Sequence, residues 1–456
     1  MGRLSCFKSY DIRGRLGEEL DEPLAYLIGR GFARVLQPGM VVIGRDVRET
    51  SPALQAALMA GLQDEGVDVI DLGLCGTEEV YFATNHFGAG GGLMVTASHN
   101  PINYNGIKMV REGSRPISAQ TGLNAIRDLV GQDDFGPIKA QGALRRENPR
   151  DVYADRVVSY VDVAALRPLR ILVNAGNGVA GPAFDAIEER LLAIGAPFEF
   201  VRMHHEPDSH FPNGIPNPLL IENQPATAHA VRVSGADMGV AWDGDFDRCF
   251  FFDETGAFID GEYVVGLLAQ AFLAKEPGAK IVHDTRVIWN TVDVVSRGGG
   301  VAVACQTGHA HLKAKMRELD AVYGGEMSAH HYFRAFMYCD SGMIPWILVA
   351  ERMGQTGKSL SALVAEMRAR FPSSGEINFI VRDPAAAVAR FEAVYGPDAK
   401  TVDRMDGVSL DMGDWRVNVR MSNTEALLRL NIETRGDTGL LAAMIEEVSA
   451  SLTHSG

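Results

Sequence analysis

Four short stretches of the chain carry side chains with chemical reach. Thr96-Ala97-Ser98-His99-Asn100-Pro101 closes an apolar run, and its Asn, Ser and Pro content predicts a turn that holds the Ser98 hydroxyl at the C-terminal edge of a strand. A lone serine in such a turn is commonly a cap. Here Asn103-Tyr104-Asn105-Gly106-Ile107-Lys108 follows within reach and offers a cationic proton donor or acceptor.

The second stretch, Asp243-Gly244-Asp245-Phe246-Asp247-Arg248, sets carboxylates at alternating positions. A like-charge pair at about 4 Å costs ~1 kcal/mol in water and about 4 kcal/mol near a protein surface, so a hard divalent cation turns repulsion into attraction. Mg²⁺ fits best, since it favours few-carboxylate sites that also engage a phosphate. An EF-hand would use Asp243, Asp245, Asp247 and Glu254, but Arg248 stands where that loop needs glycine, and the flanks read as strands. A solvated acidic turn is the plainer alternative. Its neighbours, Val240-Ala241-Trp242 and Cys249-Phe250-Phe251-Phe252, are too apolar to suit it.

Gly324-Gly325-Glu326-Met327-Ser328-Ala329-His330-His331 combines close backbone approach with acceptors suited to sugar hydroxyls, although paired loop histidines are as a rule packing or surface residues. Arg420-Met421-Ser422-Asn423-Thr424-Glu425, with Arg429 and Arg435 downstream, supplies guanidinium forks, hydroxyls and an amide, a chemically apt phosphate cradle. Read alone, it is equally a helix cap beside a salt bridge.

The elements that must position these loops follow an α/β rhythm. Val- and Ile-rich runs at 40–43, 67–72, 93–96, 171–173, 238–242, 280–283 and 301–305 predict strands. Asp21-x-Pro23 and Ser51-Pro52 read as helix starts, and 118–130, 179–194 and 261–275 as helices. Continuous apolar strands imply sheets covered on both faces, with ligand groups gathered at strand C-terminal ends. Composition shifts at 132–150, 253–260 and 371–376 divide the 456 residues into four pieces.

The formal net charge of -15 argues against a nucleic-acid or anionic-membrane partner and asks instead for a local cationic pocket if the substrate is phosphorylated. No continuous apolar span or apolar signal core is present, which leads to the expectation of a cytoplasmic enzyme. Cys6, Cys75, Cys249, Cys305 and Cys339 are scattered and read as reduced, buried residues.

In this order and at these separations, TASHNP, DGDFDR, GEMSAHHYF and RMSNTE, with Tyr10-Asp11-Ile12-Arg13-Gly14 near the start, resemble the signature loops of the α-D-phosphohexomutase superfamily end to end. The GEMS form is similar to the phosphomannomutase and phosphoglucomutase group, and CFKSYDIRG and GTEEVYFAT to its bacterial members that feed GDP-mannose synthesis. The resemblance implies four domains around a central cleft: three related α/β domains, 1–145 with the phosphoserine loop, 146–254 with the metal loop and 255–370 with the sugar loop, then a smaller α+β domain, 371–456, with the phosphate loop.

It also implies a mutase that moves phosphoryl between O1 and O6 of mannose, with some activity on glucose phosphates, through phospho-Ser98 and a hexose 1,6-bisphosphate intermediate or activator. Asp243, Asp245 and Asp247 would hold Mg²⁺ with an oxygen on Ser98; Arg13 and Lys108 would flank the phosphoserine, and His309 would be the acid-base partner. Tyr10, His99, Arg248, Glu326, Ser328 and His330 would meet the sugar, and Arg420, Ser422, Asn423, Thr424 and Arg429 the non-reacting phosphate. Two departures stand out: Ala426 where many members have proline, and Arg286 near a position where some have lysine, which leaves the part played by Arg286 open. Partners are expected to be hexose phosphates, with the chain a monomer or homodimer. Alternatives are a phosphoglucomutase, a Mg²⁺-dependent sugar-phosphate phosphatase with an aspartyl nucleophile, and a non-catalytic sugar-phosphate sensor.

Overall fold

The computed structural model describes residues 4–139, 141–421 and 427–453. Two compact units emerge: Met1–Phe258 with His330–Gly357, and Ile259–Ala329 with Lys358–Gly456.

The first unit opens with strands β1 (Ile12–Arg15), β2 (Met40–Arg45), β3 (Asp68–Leu74), β4 (Gly91–Val95), β5 (Tyr104–Arg111), β6 (Arg115–Pro116) and β7 (Leu144–Arg146). They form one sheet in the order β1-β5-β4-β2-β3-β7, with β6 on β5. The strands β4, β2, β3 and β7 run parallel, whereas β5 lies antiparallel to both β4 and β1. Helices α1 (Glu22–Leu36), α2 (Ser51–Asp64), α3 (Thr77–His86) and α4 (Asn124–Gln132) accompany them. Both faces are covered, so β4 is buried along its whole length.

Asp21 caps α1 as its sequence predicts, accepting from Leu24 N at 2.8 Å. Ser51 does not cap α2: it is the first helical residue, and its hydroxyl donates to Asp46 at 2.5 Å. The helix expected over 118–130 begins as a wide π turn, Ala119–Leu123, because Gly122 takes φ +146° before α4 starts. The first compositional seam contains β7, paired in parallel with β3.

A second sheet follows, built from β8 (Leu169–Asn174), β9 (Phe198–Met203), β10 (Met238–Trp242), β11 (Cys249–Asp253) and β12 (Phe258–Ile259) in the order β12-β11-β10-β8-β9. Helices α5 (Arg150–Val158), α6 (Ala180–Ala193) and α7 (Gln224–Ser234) belong to this stretch. The acidic loop turns the chain between β10 and its antiparallel neighbour β11, which removes the helix-flanked EF-hand reading.

In the second unit come α8 (Gly261–Lys275), β12's successor β13 (Lys280–His283), α9 (Trp289–Arg297), β14 (Val301–Ala304), α10 (His309–Leu319) and β15 (Tyr323–Gly325), with β13 parallel to both β14 and β15. The chain then gives the first unit an antiparallel hairpin, β16 (His331–Phe333) and β17 (Cys339–Asp340), and α11 (Ile344–Thr356). After α12 (Leu360–Arg370), the second unit finishes with β18 (Ile377–Phe379), α13 (Pro384–Tyr395), β19 (Thr401–Asp403), β20 (Val408–Asp411), β21 (Trp415–Met421), β22 (Leu428–Thr434) and α14 (Thr438–Thr453). These strands form an antiparallel sheet, β18-β22-β21-β20-β19, over a core that includes Phe391, Leu410, Val417, Val419, Leu430, Ile432 and Val448. All five cysteines are buried and unbridged.

Candidate active site

Strand register brings together the candidate residues of the first unit. Met94 on β4 pairs with Lys108 on β5, and Gly106 on β5 pairs with Arg13 on β1, so Lys108 and Arg13 are carried beside the loop that leaves β4. That loop is tightly specified. Ser98 adopts φ +49°, a left-handed conformation unusual for a residue with a side chain, and its N–H donates to Thr96 Oγ1 at 2.8 Å. Arg48, buried beneath, donates to the carbonyls of Ser98, Asn100, Pro101 and Tyr104 at 3.1, 2.6, 3.0 and 3.1 Å. One planar guanidinium with five N–H groups can serve four carbonyls at once; lysine cannot.

The acidic loop meets this turn directly. The Ser98 hydroxyl donates to Asp243 Oδ2 at 2.6 Å. Gly244 is required there, because a Cβ at that position would come within 2.6 Å of the Ser98 carbonyl. Ligand oxygens of Asp243, Asp245 and Asp247, all buried, lie within 4.8 Å of one another. Lys108 Nζ donates to Asp245 at 2.7 Å and to Asp247 at 2.5 Å. Burial alone would raise Asp245, but Lys108 holds its carboxyl down at about 2; burial prevails at Asp247, which is pushed up to about 6. Asp245 Oδ1 is buried without a hydrogen-bond partner, and a set of hard oxygen donors with such an orphan suits a small divalent cation.

Other expected residues cluster around these. Arg248 donates through Nε to Asp243 at 2.9 Å and through Nη2 to His99 Nδ1 at 2.5 Å. An imidazole nitrogen that accepts from arginine is unprotonated; burial first, then the Arg248 charge, push His99 well below the ordinary histidine range. Arg13 is held between Asn100 Oδ1 at 2.6 Å and Asp11 at 2.8 Å. His330 Nδ1 lies 3.0 Å from Asp340 and 3.9 Å from Asp247, while its neighbour His331 is fully buried. Tyr10 is half-buried in the bend before β1.

Thr77, at the start of α3, was not singled out in the sequence, yet its hydroxyl donates to Asp245 Oδ2 at 2.5 Å. The next two residues also hold distant segments. Glu78 accepts from Tyr153 OH, Ser341 Oγ, Gly342 N and Met343 N, and Glu79 pairs with Arg150 at 2.7 Å. The signal available was a polar run, Thr-Glu-Glu, placed directly before the apolar stretch Val80 to Ala83.

In the second unit, Arg286 occupies the turn after β13. Its Nη2 donates to Ser328 Oγ at 3.1 Å and lies 3.7 Å from Glu326, and Asp284 binds the same guanidinium through Nε at 2.9 Å. Glu326 also accepts from Gly308 N at 3.2 Å, which ties the sugar-loop candidate to the start of α10, where His309 is the first helical residue. Arg420 and Arg429 face each other across β21 and β22, and both reach Glu376 at 3.1 Å; Arg286 reaches it at 3.3 Å. Ser422, Asn423 and Thr424 lie outside the described residues, as does Ala426.

Four family models match in register: phosphoglucomutase/phosphomannomutase alpha/beta/alpha domain I over residues 5–136, domain II over 151–256, domain III over 260–371 and the C-terminal domain over 376–451. The chain belongs to the phosphoglucomutase/phosphomannomutase family. It is 58% identical over 450 residues to a phosphomannomutase of Salmonella montevideo, covering 98% of this chain and 99% of that one. It is 59% identical over 446 residues to a protein of Xanthomonas campestris pv. campestris (strain B100) named for phosphohexose mutases, covering 98% of each. A crystal structure of a phosphoglucomutase/phosphomannomutase family protein from Burkholderia thailandensis superposes with a TM-score of 0.88 at 31% identity, over 99% of this chain and 98% of that one. This mutase is therefore an α/β phosphohexomutase in four domains, an enzyme of the isomerase class acting on hexose phosphates. No helix among its described residues is long and apolar enough to cross a membrane.

Proposed function

We propose that this enzyme interconverts mannose 1-phosphate and mannose 6-phosphate, with some activity on the glucose phosphates, through a phosphoryl group carried on Ser98. The observation that carries the reading is the meeting of the Ser98 hydroxyl with Asp243 at 2.6 Å, beside Lys108 at 2.7 and 2.5 Å from Asp245 and Asp247. A 58% identical relative that bears the name phosphomannomutase supports mannose as the sugar.

Phosphoryl transfer asks a protein chiefly for alignment and for charge on the transferring oxygens. Asp243, Asp245 and Asp247 would hold Mg²⁺ together with an oxygen on Ser98; when bound, that ion supplies positive charge where the transferring oxygens gather. The strained turn and the Arg48 clamp fix the serine oxygen at the strand edge. Lys108 and Arg13 place cationic donors beside it, and Lys108 stays charged because the three carboxylates outweigh the penalty of its burial.

Phospho-Ser98 then donates to the free O6 or O1 hydroxyl of a bound monophosphate: the serine O–P bond breaks, a sugar O–P bond forms, and the hydroxyl proton leaves to a base, for which His309 is our candidate. The resulting 1,6-bisphosphate turns over and returns its other phosphate to Ser98. Glu326 and Ser328 would read sugar hydroxyls, and Arg420 and Arg429 the non-reacting phosphate. Assay of mannose 1-phosphate and glucose 1-phosphate, with Mg²⁺ and a trace of glucose 1,6-bisphosphate, tests the reading. Turnover dependent on both additions and faster with the mannose ester is expected; release of free phosphate without isomerisation would overturn it in favour of a phosphatase.

A further inference from the structure

Arg420 and Arg429 are directly opposed partners on β21 and β22, an arrangement in which two like charges repel across the ladder. Arg286 joins them from the turn after β13. All three guanidinium groups converge on one carboxylate, that of Glu376, which stands immediately before β18: Oε2 lies 3.1 Å from Arg420 and 3.3 Å from Arg286, and Oε1 lies 3.1 Å from Arg429. Arg286 and Arg420 are each only 3% exposed, and Glu376 13%.

Asp284 already holds Arg286 at 2.9 Å, so the remaining demand lies with Arg420 and Arg429, which share Glu376. Arg420 Nε is buried without a hydrogen-bond partner, and a carboxylate brings a single charge where a phosphate monoester brings nearly two and a third oxygen. Burial alone would raise Glu376, yet the attraction of Arg286, Arg429 and Arg420 outweighs it and keeps the group anionic. We propose that Glu376 is a resident counter-anion: it keeps Arg286, Arg420 and Arg429 gathered before a sugar phosphate binds, and the incoming phosphate takes its place on them. The inference rests on reading these arginines as the grip on the non-reacting phosphate. A grip that always has a competing anion at hand releases readily, which a mutase needs, because its bisphosphate must let go and turn over between the two half-reactions.

The distinguishing sign is a gain of binding. A merely structural glutamate can only weaken the site when altered, whereas loss of a competing charge tightens it. Glu376→Gln is expected to bind inorganic phosphate roughly tenfold more tightly than the parent by titration calorimetry, with kcat lowered as the bisphosphate is held longer. Glu376→Asp, which retains the charge, is expected to keep the parent's weaker binding. Unchanged or weaker phosphate binding by Glu376→Gln would overturn the proposal, as would equal tightening by Glu376→Asp, which would make the effect steric. Arg420→Ala separates the two readings: if it binds inorganic phosphate as well as the parent, the phosphate-grip assignment itself is what has failed.

Discussion

Ser98 and Asp243 are 145 residues apart in the chain and 2.6 Å apart in the fold, with the serine hydroxyl donating to the carboxylate. The nucleophile candidate and the metal-loop candidate are thereby parts of one buried group, and what supports either supports both. Around them stand residues whose whole contribution is to hold that group in shape.

Thr77 is the most specific of these, since its hydroxyl donates to the same Asp245 oxygen that accepts from Lys108. Hydrogen bonds to the carboxylates that hold a metal tune affinity, and their loss costs roughly 10–100-fold. Thr77→Val should raise the Mg²⁺ concentration needed for half-maximal mutase activity by that factor while leaving the circular dichroism spectrum unchanged. An unaltered Mg²⁺ titration would remove Thr77 from the site.

The carboxylate trio also predicts a thermal signature that needs no substrate. A cation bound only by the folded state stabilises by mass action, about 2.7 kcal/mol at a hundredfold excess over Kd. Mg²⁺ should therefore raise the Tm of the parent in differential scanning fluorimetry, and chelation should reverse it. In Asp245→Asn, Mg²⁺ should leave Tm where it was; an equal rise would place the cation elsewhere.

Much of this was legible in the sequence, and the manner of its success explains its failures. Each chemical loop is contiguous, so a turn signal beside an apolar strand singles out Ser98 and the aspartates as candidates, and the strands expected at 238–242 and 280–283 coincide with β10 and β13. Thr77 and Arg48 were invisible because nothing local reports a partner 168 or 50 residues away. Ser51-Pro52 does open α2 as expected, but the Ser51 hydroxyl is not its cap, because Asp46 claims it. The π turn at Ala119–Leu123 was hidden by an otherwise helical pattern around Gly122.

Arg48 carries the next expectation. Arg48→Lys keeps the charge but leaves several of the four carbonyls unserved, so the Ser98 turn should relax. A small misplacement of the reacting oxygen can lower kcat by about a hundredfold, and buried carbonyls left without a donor should lower stability by about 1–3 kcal/mol. Steady-state kinetics and thermal melting measure the two effects; parental kcat would show that the clamp does not position Ser98.

Glu78 links the chain's pH dependence to the joint between α3 and the 341–343 turn. Burial pushes its carboxyl up to about 8 despite donors from Tyr153, Ser341, Gly342 and Met343. Between the ordinary glutamate value and about 8, the folded chain keeps a proton that the unfolded chain has released, so this group's stabilisation is complete at low pH and is lost as pH rises through that window. Chemical denaturation from about pH 5 to about pH 9 should show that decline, and Glu78→Gln, which cannot titrate, should flatten it. An equally steep decline in the variant would assign it to other groups.

The central claim, that Ser98 carries the transferred phosphoryl group, is tested most directly by peptide mass spectrometry after incubation with glucose 1,6-bisphosphate and Mg²⁺. The account predicts one added phosphoryl group on the peptide containing Ser98, removed again on addition of mannose 1-phosphate with formation of mannose 6-phosphate, and neither event in Ser98→Ala. Phosphate recovered on Asp243 or Asp245, or mutase turnover that survives in Ser98→Ala, would contradict it.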